Sequence, residues 1–368
     1  MKALPYLHST TLALSCFVFT AWGAPITYPN RAYIFSAETF SAVPGAFNVK
    51  AVAVEGNMVL AVTRDGRVVS SGLPENWLTG GVMEQLTNVI SVGLNYTMAA
   101  ALTADGRVIE FGRSGLEPPS PLTNVIAIDV SGQFNDDDLD YRLAVTADGR
   151  VVVCGYYFCP RSAEIPGVVT AAGGWSHIVA LKNDGTVVQW DTEREPEVLA
   201  GLSNVVAVAA GGTHSVALKA DGTVVAWGEN YHGQLNIPAD LSNVVAITAS
   251  EDHSLALRRD GTLAAWGQSY WGGSVTPPAS LSNVVAIASS GTKNLAVVSL
   301  PMLAIATNAS SLGRLAISLS GESNRVYTIE SSADFLTWYF VQNVTNETGI
   351  TFFEVGTTNV NRQFFRAR

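Results

Sequence analysis

The sequence predicts an all-β chain, with a seven-bladed β-propeller followed by a small β-sandwich. Three observations carry this. An Asp-Gly pair recurs through most of the chain, and an Asn-Val or Gly-Val anchor precedes each copy at near-constant spacing. Both signals then stop near Pro301, where a differently patterned segment begins.

The Asp-Gly pairs stand at Asp65, Asp105, Asp148, Asp184, Asp221 and Asp260, at intervals of 36 to 43 residues. The anchors begin at Asn48, Asn88, Asn124, Gly167, Asn204 and Asn243, and 17 residues separate anchor from Asp in five of the six units. Such constancy is the mark of one copied structural unit.

Asn204 to Gly228 is the clearest copy. Val205 to Ala209 alternates large and small apolar residues, as a strand buried on both faces does. Ala209, Ala210, Gly211 and Gly212 follow, where bulk would crowd a central axis. His214 to Leu218 reads as a second strand and Thr223 to Trp227 as a third. Ala220-Asp221-Gly222 turns between them, with glycine supplying the positive φ of a hairpin. A fourth strand is expected in the segment leading to the next unit.

A lone meander cannot bury both faces, so the copies must stack. Units near this length fit radial repetition about an axis. A seventh anchor, Asn283-Val284, lacks an Asp-Gly hairpin, and Tyr33-Ile34-Phe35-Ser36 at the other end of the chain matches the missing outer strand. Six full units and one stitched from both ends give seven blades over 24–300, with no inner edge left open.

From 301 to 368 the repeat is absent. Alternating segments at Leu315 to Ser318, Val326 to Glu330, Trp338 to Phe340, Thr351 to Phe353 and Phe364 to Arg366 are parted by Gly, Asn and Ser turns. They read as a small β-sandwich.

The repeated Gly-x-x-His element (Gly174 to His177 and Gly211 to His214), Ala-Leu, Asp-Gly and closing Trp-Gly at Trp227 and Trp266 resemble RCC1-type repeats. The resemblance runs from about Arg31 to Ser299. WD-repeat propellers fit less well, because Trp190-Asp191 is the sole Trp-Asp pair. Short Ala-rich blades and the Gly233 to Pro238 connector look most like bacterial secreted members, among them the exported propellers that inhibit β-lactamases. Nuclear members bind chromatin and exchange nucleotide on a small GTPase. This chain departs from them in its acidic balance and lack of a basic tail, so that activity is not carried over. Tyr327-Thr328-Ile329-Glu330, Trp338 and the closing Phe365 to Arg368 are similar to Ig-like modules that end large exported proteins of environmental bacteria.

Bulk properties agree. With 48% hydrophobic and 14% charged residues and 33 glycines, the composition suits short strands and tight turns. A net charge of −10 without a basic cluster excludes phosphate-driven nucleic-acid binding. Residues 1–23 read as a secretory signal peptide: Lys2, then an apolar run from Thr11 to Trp22, then small residues at Ala21 and Gly23. Cleavage near Gly23 implies a secreted or cell-surface protein that does not span the membrane. Of three cysteines, Cys154 and Cys159 then remain. They form a small loop disulfide or stay as two quiet thiols, and the spacing of a redox-active pair is missing.

Each candidate site competes with a packing role. His177, His214 and His253 share one repeat position, but the equivalents Met58, Met98 and Lys293 cannot complete a zinc set, so structural roles are expected. Phe35, Phe111, Trp190, Trp227 and Trp266 also share a position and read as blade-to-blade core. The insertion Asp136 to Asp140 lacks the glycine and terminal Glu of a calcium loop, and a solvated acidic insertion is favoured. The loops after the Trp position are more telling. They carry Trp77, then Tyr156, Tyr157 and Phe158, then Tyr231 and His232, then Tyr270 and Trp271. Repeat symmetry gathers them on one face, where exposed aromatics suit a partner surface. No nucleophile elbow, phosphate loop or metal-protease motif is present, so neither catalysis nor a cofactor or metal is expected. The function expected is non-enzymatic binding of a protein partner. A glycan-binding or glycan-processing protein, with polysaccharide as partner, and an architectural surface protein are the alternatives.

Overall fold

The computed structural model describes residues 30–35, 40–77, 82–112, 122–133, 136–155, 162–191, 194–268, 275–278, 281, 283–291, 293–299, 302–305, 314–320, 325–332, 339–346, 350–356 and 364–367. The expected signal peptide, 1–23, lies outside them. The described residues divide into two compact units, one within Arg31–Val298 and the other within Ser299–Arg368 together with Asn30.

Among the described residues, the strands of the first unit form seven antiparallel sheets. Each begins with an inner strand: Val49–Glu55, Val89–Leu94, Val125–Gln133, Val168–Gly173, Val205–Ala210, Val244–Ala249 and Val284–Ser290. Each inner strand lies beside the next, and the last returns to the first, so the sheets close into a ring. The closing sheet runs in the order Phe40–Phe47, Asn30–Phe35, Lys293–Ser299, Val284–Ser290. The strand offered by the sequence from Tyr33 is thus the one beside Lys293–Ser299. The expected fourth strand is also formed in two other sheets, as Ala163–Glu164 and Glu197–Val198. Four sheets hold three described strands each.

The Asn anchor has a backbone cause. Asn48, Asn88, Asn124, Asn204, Asn243 and Asn283 adopt φ between 53° and 60°, and Gly167 takes the same place at 83°. Asn and Gly tolerate this left-handed region best. There the carbonyl of Asn204 accepts the Ala220 amide of its own hairpin, while the Val205 amide donates to Gly185 of the preceding one. Other repeats show the same pattern, as at Asn88 with Ala104 and Val89 with Gly66. The anchor therefore ties two blades together, and the fixed spacing is the distance from anchor to hairpin around one blade.

Blade three keeps this tie, since Ala147 still donates to Asn124. Its extra residues lengthen the first two strands to Val125–Gln133 and Asp136–Thr146, with an irregular register between Asp136 and Tyr141. The side chains of Asp136 to Asp140 lie outside the described residues.

Burial follows the repeat. In Val205–Ala210, Val205, Ala207, Val208 and Ala209 are buried, and in His214–Lys219 everything but Lys219 is. Full burial of each Val or Leu is worth about 1.5–3 kcal/mol, and inner strands covered by blades on either side gain most of it. Trp190, Trp266 and Phe111 are buried and Trp227 half-buried, as expected of blade-to-blade packing. The Phe35 side chain lies outside the described residues.

The second unit contains two three-stranded antiparallel sheets. One orders Met302–Ile305, Arg314–Ser320 and Ile350–Gly356; the other orders Tyr339–Asn346, Arg325–Ser332 and Phe364–Ala367. Leu319 of the first packs with Tyr327, Ile329 and Val344 of the second. Among the described residues no helix is long and apolar enough to cross a membrane.

Candidate functional site

Register decides which loops share a face. His214 pairs with Gly228, His253 with Gly267, and Met98 with Gly112. The turn before each second strand and the loop after each third strand therefore leave the sheet at the same end. The Asp-Gly hairpins and Asn anchors occupy the opposite end. The loop after Gly228, which carries Tyr231 and His232, thus emerges beside the short inner turns that lead into the His position.

The loop after Gly228 is built to hold its tip still. Asn230 Oδ1 accepts the Leu235 amide at 2.9 Å, and Asn230 Nδ2 donates to Asn236 Oδ1 at 3.2 Å. Gly233 turns the chain at φ 80°. Gln234, 1% exposed, accepts the His232 amide at 2.8 Å and donates to Asp252 Oδ1 at 2.9 Å. Its carbonyl accepts Trp266 Nε1 at 2.8 Å, fastening the loop to the next blade. Tyr231 stands at the tip of this frame with 82% of its surface exposed. His232 is 45% exposed, and its Nε2 lies 3.9 Å from Asp252 Oδ2. Burial pushes the Asp252 carboxyl upward, against the opposing pull of His232 and Gln234.

Inward from Asp252 the same turn supplies Glu251, whose carboxyl burial and the neighbouring Asp252 push up to about 7. Glu55, 8% exposed, accepts Ser290 Oγ at 2.5 Å. A Cβ built on Gly291 would lie 3.6 Å from Tyr96 Oη, 3.9 Å from Glu55 Oε1 and 4.0 Å from Glu251 Oε1. Turns of the first, second, sixth and seventh sheets therefore meet around Gly291. Burial, followed by the Glu55 charge, raises the Tyr96 phenol, so it stays protonated and donates.

Of the predicted aromatic set, Tyr231 and His232 stand on the open face. Trp77 does not: it is 5% exposed and packed in the core with Leu86. Its loop folds back, with the Trp77 amide on the Pro74 carbonyl at 3.0 Å, so the ring fills space between blades. Tyr156, Tyr157, Phe158, Tyr270 and Trp271 lie outside the described residues. Cys154 lies on the strand Arg150–Gly155, while Cys159 falls outside the described residues.

The three histidines act as struts. His177 Nε2 lies 2.9 Å from Ser215 Oγ, and His253 Nε2 lies 3.0 Å from Asn294 Oδ1. Tyr141 holds the same place in blade three, donating to the Gly174 carbonyl at 2.7 Å. The insertion shifts Tyr141 only relative to Asn124; counted back from the hairpin it stands seven residues before Asp148, as His177, His214 and His253 stand before Asp184, Asp221 and Asp260. Tyr96, Trp175 and Glu251 were also overlooked. All three sit one residue after the Gly of Gly-x-x-His or its equivalent, where other repeats carry Gly56, Gly212 and Gly291. Aligning that turn residue by residue gives the signal.

Residues 205–234 and 244–270 match the Regulator of chromosome condensation (RCC1) repeat. No curated protein sequence matches the chain. Prp20p from Saccharomyces cerevisiae, described with its binding to Gsp1p and histones, is similar with a TM-score of 0.57 and 16% identity over 74% of this chain and 92% of that one. The same yeast protein in complex with Kap60 gives 0.56 and 16% over 82% of this chain and 96% of that one. Human WBSCR16 gives 0.57 and 16% over 73% of this chain and 99% of that one. At such identity the likeness is one of fold.

Proposed function

We propose that this chain, which carries RCC1 repeats in an RCC1-like β-propeller, is an exported, non-enzymatic binding protein that holds a protein partner on the face bearing Tyr231. The observation that carries this reading is Tyr231 itself. A large ring fully offered to solvent on a loop immobilised by Asn230, Gln234 and Trp266 loses little entropy on binding, and ordered aromatic anchors supply most interface energy. His232, Tyr270 and Trp271 extend this surface, with Tyr156, Tyr157 and Phe158 from blade three. Export follows from the signal-like segment 1–23. The second unit is an Ig-like accessory module.

Polysaccharide binding is the second reading, favoured by Glu55, Tyr96 and Glu251 around Gly291 on the same face, since carboxylates and phenols suit sugar hydroxyls. The test is affinity capture from the native secretome and cell envelope with the wild type and a folded Tyr231→Ala, Tyr270→Ala, Trp271→Ala variant. Loss of specific interactors in the variant supports the protein-partner reading; retention of every one of them overturns it. Both proteins applied to a polysaccharide panel separate the two readings.

A further inference from the structure

The second and third blades break the repeat at three matched positions. Phe111, Trp190, Trp227 and Trp266 fill one register position, and blade three places Cys154 there. In blade five the corresponding indole leans on the preceding blade, with Trp227 Nε1 donating to Gln189 Oε1 at 2.5 Å. Glu110 of blade two stands where Gln189 stands, and Arg142 stands where other repeats carry Val59, Ala99, Ile178, Ser215, Ser254 and Asn294. A cysteine in place of a tryptophan leaves most of a ring's volume unfilled. A cavity of about 190 Å³ lies at this point, lined by Cys154 and Arg142 together with Val108, Leu122, Ile128 and Val152.

Arg142 lines that cavity and is 6% exposed. Its Nε lies 2.6 Å from Glu110 Oε1, and its Nη1 approaches Met98 Sδ at 4.0 Å. Its Nη2 is buried with no protein acceptor. A guanidinium cannot shed its proton, and a buried charged donor left unmatched is costly. The Asp129 carboxylate in the same wall already accepts the amides of Val130 at 3.0 Å and Gly173 at 2.8 Å. Most of the lining is apolar, from Val108, Leu122, Ile128, Leu143 and Val152, which favours a ring over ordered water in the body of the cleft.

We propose that this cleft binds a small aromatic ligand carrying one neutral hydrogen-bond acceptor, its ring in the place of the missing tryptophan and its acceptor on the Arg142 guanidinium. A cavity of roughly 150 Å³ already holds a benzene ring. The lining sets the carboxylates of Glu110 and Asp129 beside the guanidiniums of Arg142 and Arg107, and Arg107 is already paired with Asp105 at 2.8 Å, so an anionic ligand at Arg142 is disfavoured.

The test uses the whole chain and three probes of matched size: acetophenone, ethylbenzene and benzoate, followed by ligand-observed NMR. Acetophenone is expected to bind within ~10 mM, the range of fragment ligands. Ethylbenzene and benzoate should bind at least about tenfold more weakly. Cys154→Trp restores the residue that blades four to six carry, so it keeps the fold and should abolish binding, whereas Cys154→Ala should retain it. Arg142→Leu should erase the preference for acetophenone over ethylbenzene. The proposal is overturned by acetophenone binding that survives Cys154→Trp, by equal binding of acetophenone and ethylbenzene to the wild type, or by no binding of acetophenone.

Discussion

Nε2 of His214 lies 2.9 Å from Oγ of Ser254, the residue that follows the equivalent histidine of the next blade. The same step is taken from His177 to Ser215 and from His253 to Asn294, while Tyr141 reaches the carbonyls of Gly174 and His177. Four consecutive blades are therefore pinned to their successors by one side chain each. In a ring whose units touch only their neighbours, such contacts set the coupling between blades.

These histidines make stability depend on acid. Burial holds the imidazoles of His177, His214 and His253 at about 4, against an ordinary value near 6.5. The unfolded chain takes up protons below about 6.5 and the native chain only near 4, so acid favours unfolding in that window. Stability is full above 6.5 and is lost as pH falls, by about 1–3 kcal/mol for each histidine. Glu251, pushed up to about 7, works in the opposite sense over the same range. The clean measurement is thus a difference: urea unfolding of wild type and His214→Gln at pH 7.5 and 4.5. Glutamine should shrink the acid loss, and equal losses in both proteins would rule out His214 as a contributor.

Gly211 is expected to be far less replaceable than Gly201. A Cβ on Gly211 would lie 2.2 Å from His214 Cε1 and 2.3 Å from the Ser250 carbonyl oxygen, whereas nothing lies within 4 Å of one on Gly201. Gly211→Ala must move either the strut or the neighbouring blade, at about 3 kcal/mol. Gly201→Ala meets only the strain of φ 78°, about 1 kcal/mol. Thermal unfolding of the two variants side by side reads the gap directly. A smaller loss at Gly211 would mean that the His214 ring is not confined by this turn.

The ring was legible in the sequence because its determinants are local and copied. Asp-Gly hairpins, anchors at positive φ and alternating inner strands each reappear in register, and the front of the chain supplied a strand with the right pattern for the last sheet. The open face was only partly legible. Position in a repeat places a loop at one end of a sheet but does not say whether its ring turns outward. Tyr231 stands free while Trp77, reached by the same reasoning, folds beneath its own loop. Arg142 and Cys154 differ: they keep their repeat offsets from Asp148, six residues before and six after, so the departures themselves were legible, but the space they leave depends on packing between blades, which no single repeat encodes.

The anchor predicts an unusual order of tolerance. Asn204 sits at φ 57° with its carbonyl on the Ala220 amide, so the backbone conformation is what must survive. Asn204→Gly should change stability by less than about 0.5 kcal/mol, Asn204→Ala should cost about 1 kcal/mol, and Asn204→Val should cost more, since a β-branched side chain suits this region worst. Denaturant midpoints of the three variants give the ranking. Alanine as mild as glycine would show that the left-handed backbone is not what restricts this position.

Closure is testable at the strand that completes the last sheet. Asn30–Phe35 lies between Phe40–Phe47 and Lys293–Ser299, and its Ile34 is half-buried against the core. Ile34→Pro removes a ladder donor from an interior strand of a sheet, a place where proline is scarcely tolerated, and should cost about 3 kcal/mol or more. The comparison is Val198→Pro, in the two-residue outer strand Glu197–Val198, where the side chain is 54% exposed. That change should cost about 1 kcal/mol, because proline is at home on sheet edges. Opening the ring at Ile34 also bares Lys293–Ser299 as an unpaired edge, so this variant alone should aggregate on heating. Equal thermal midpoints for the two proline variants would mean that the pairing of the chain's two ends adds nothing beyond an ordinary edge.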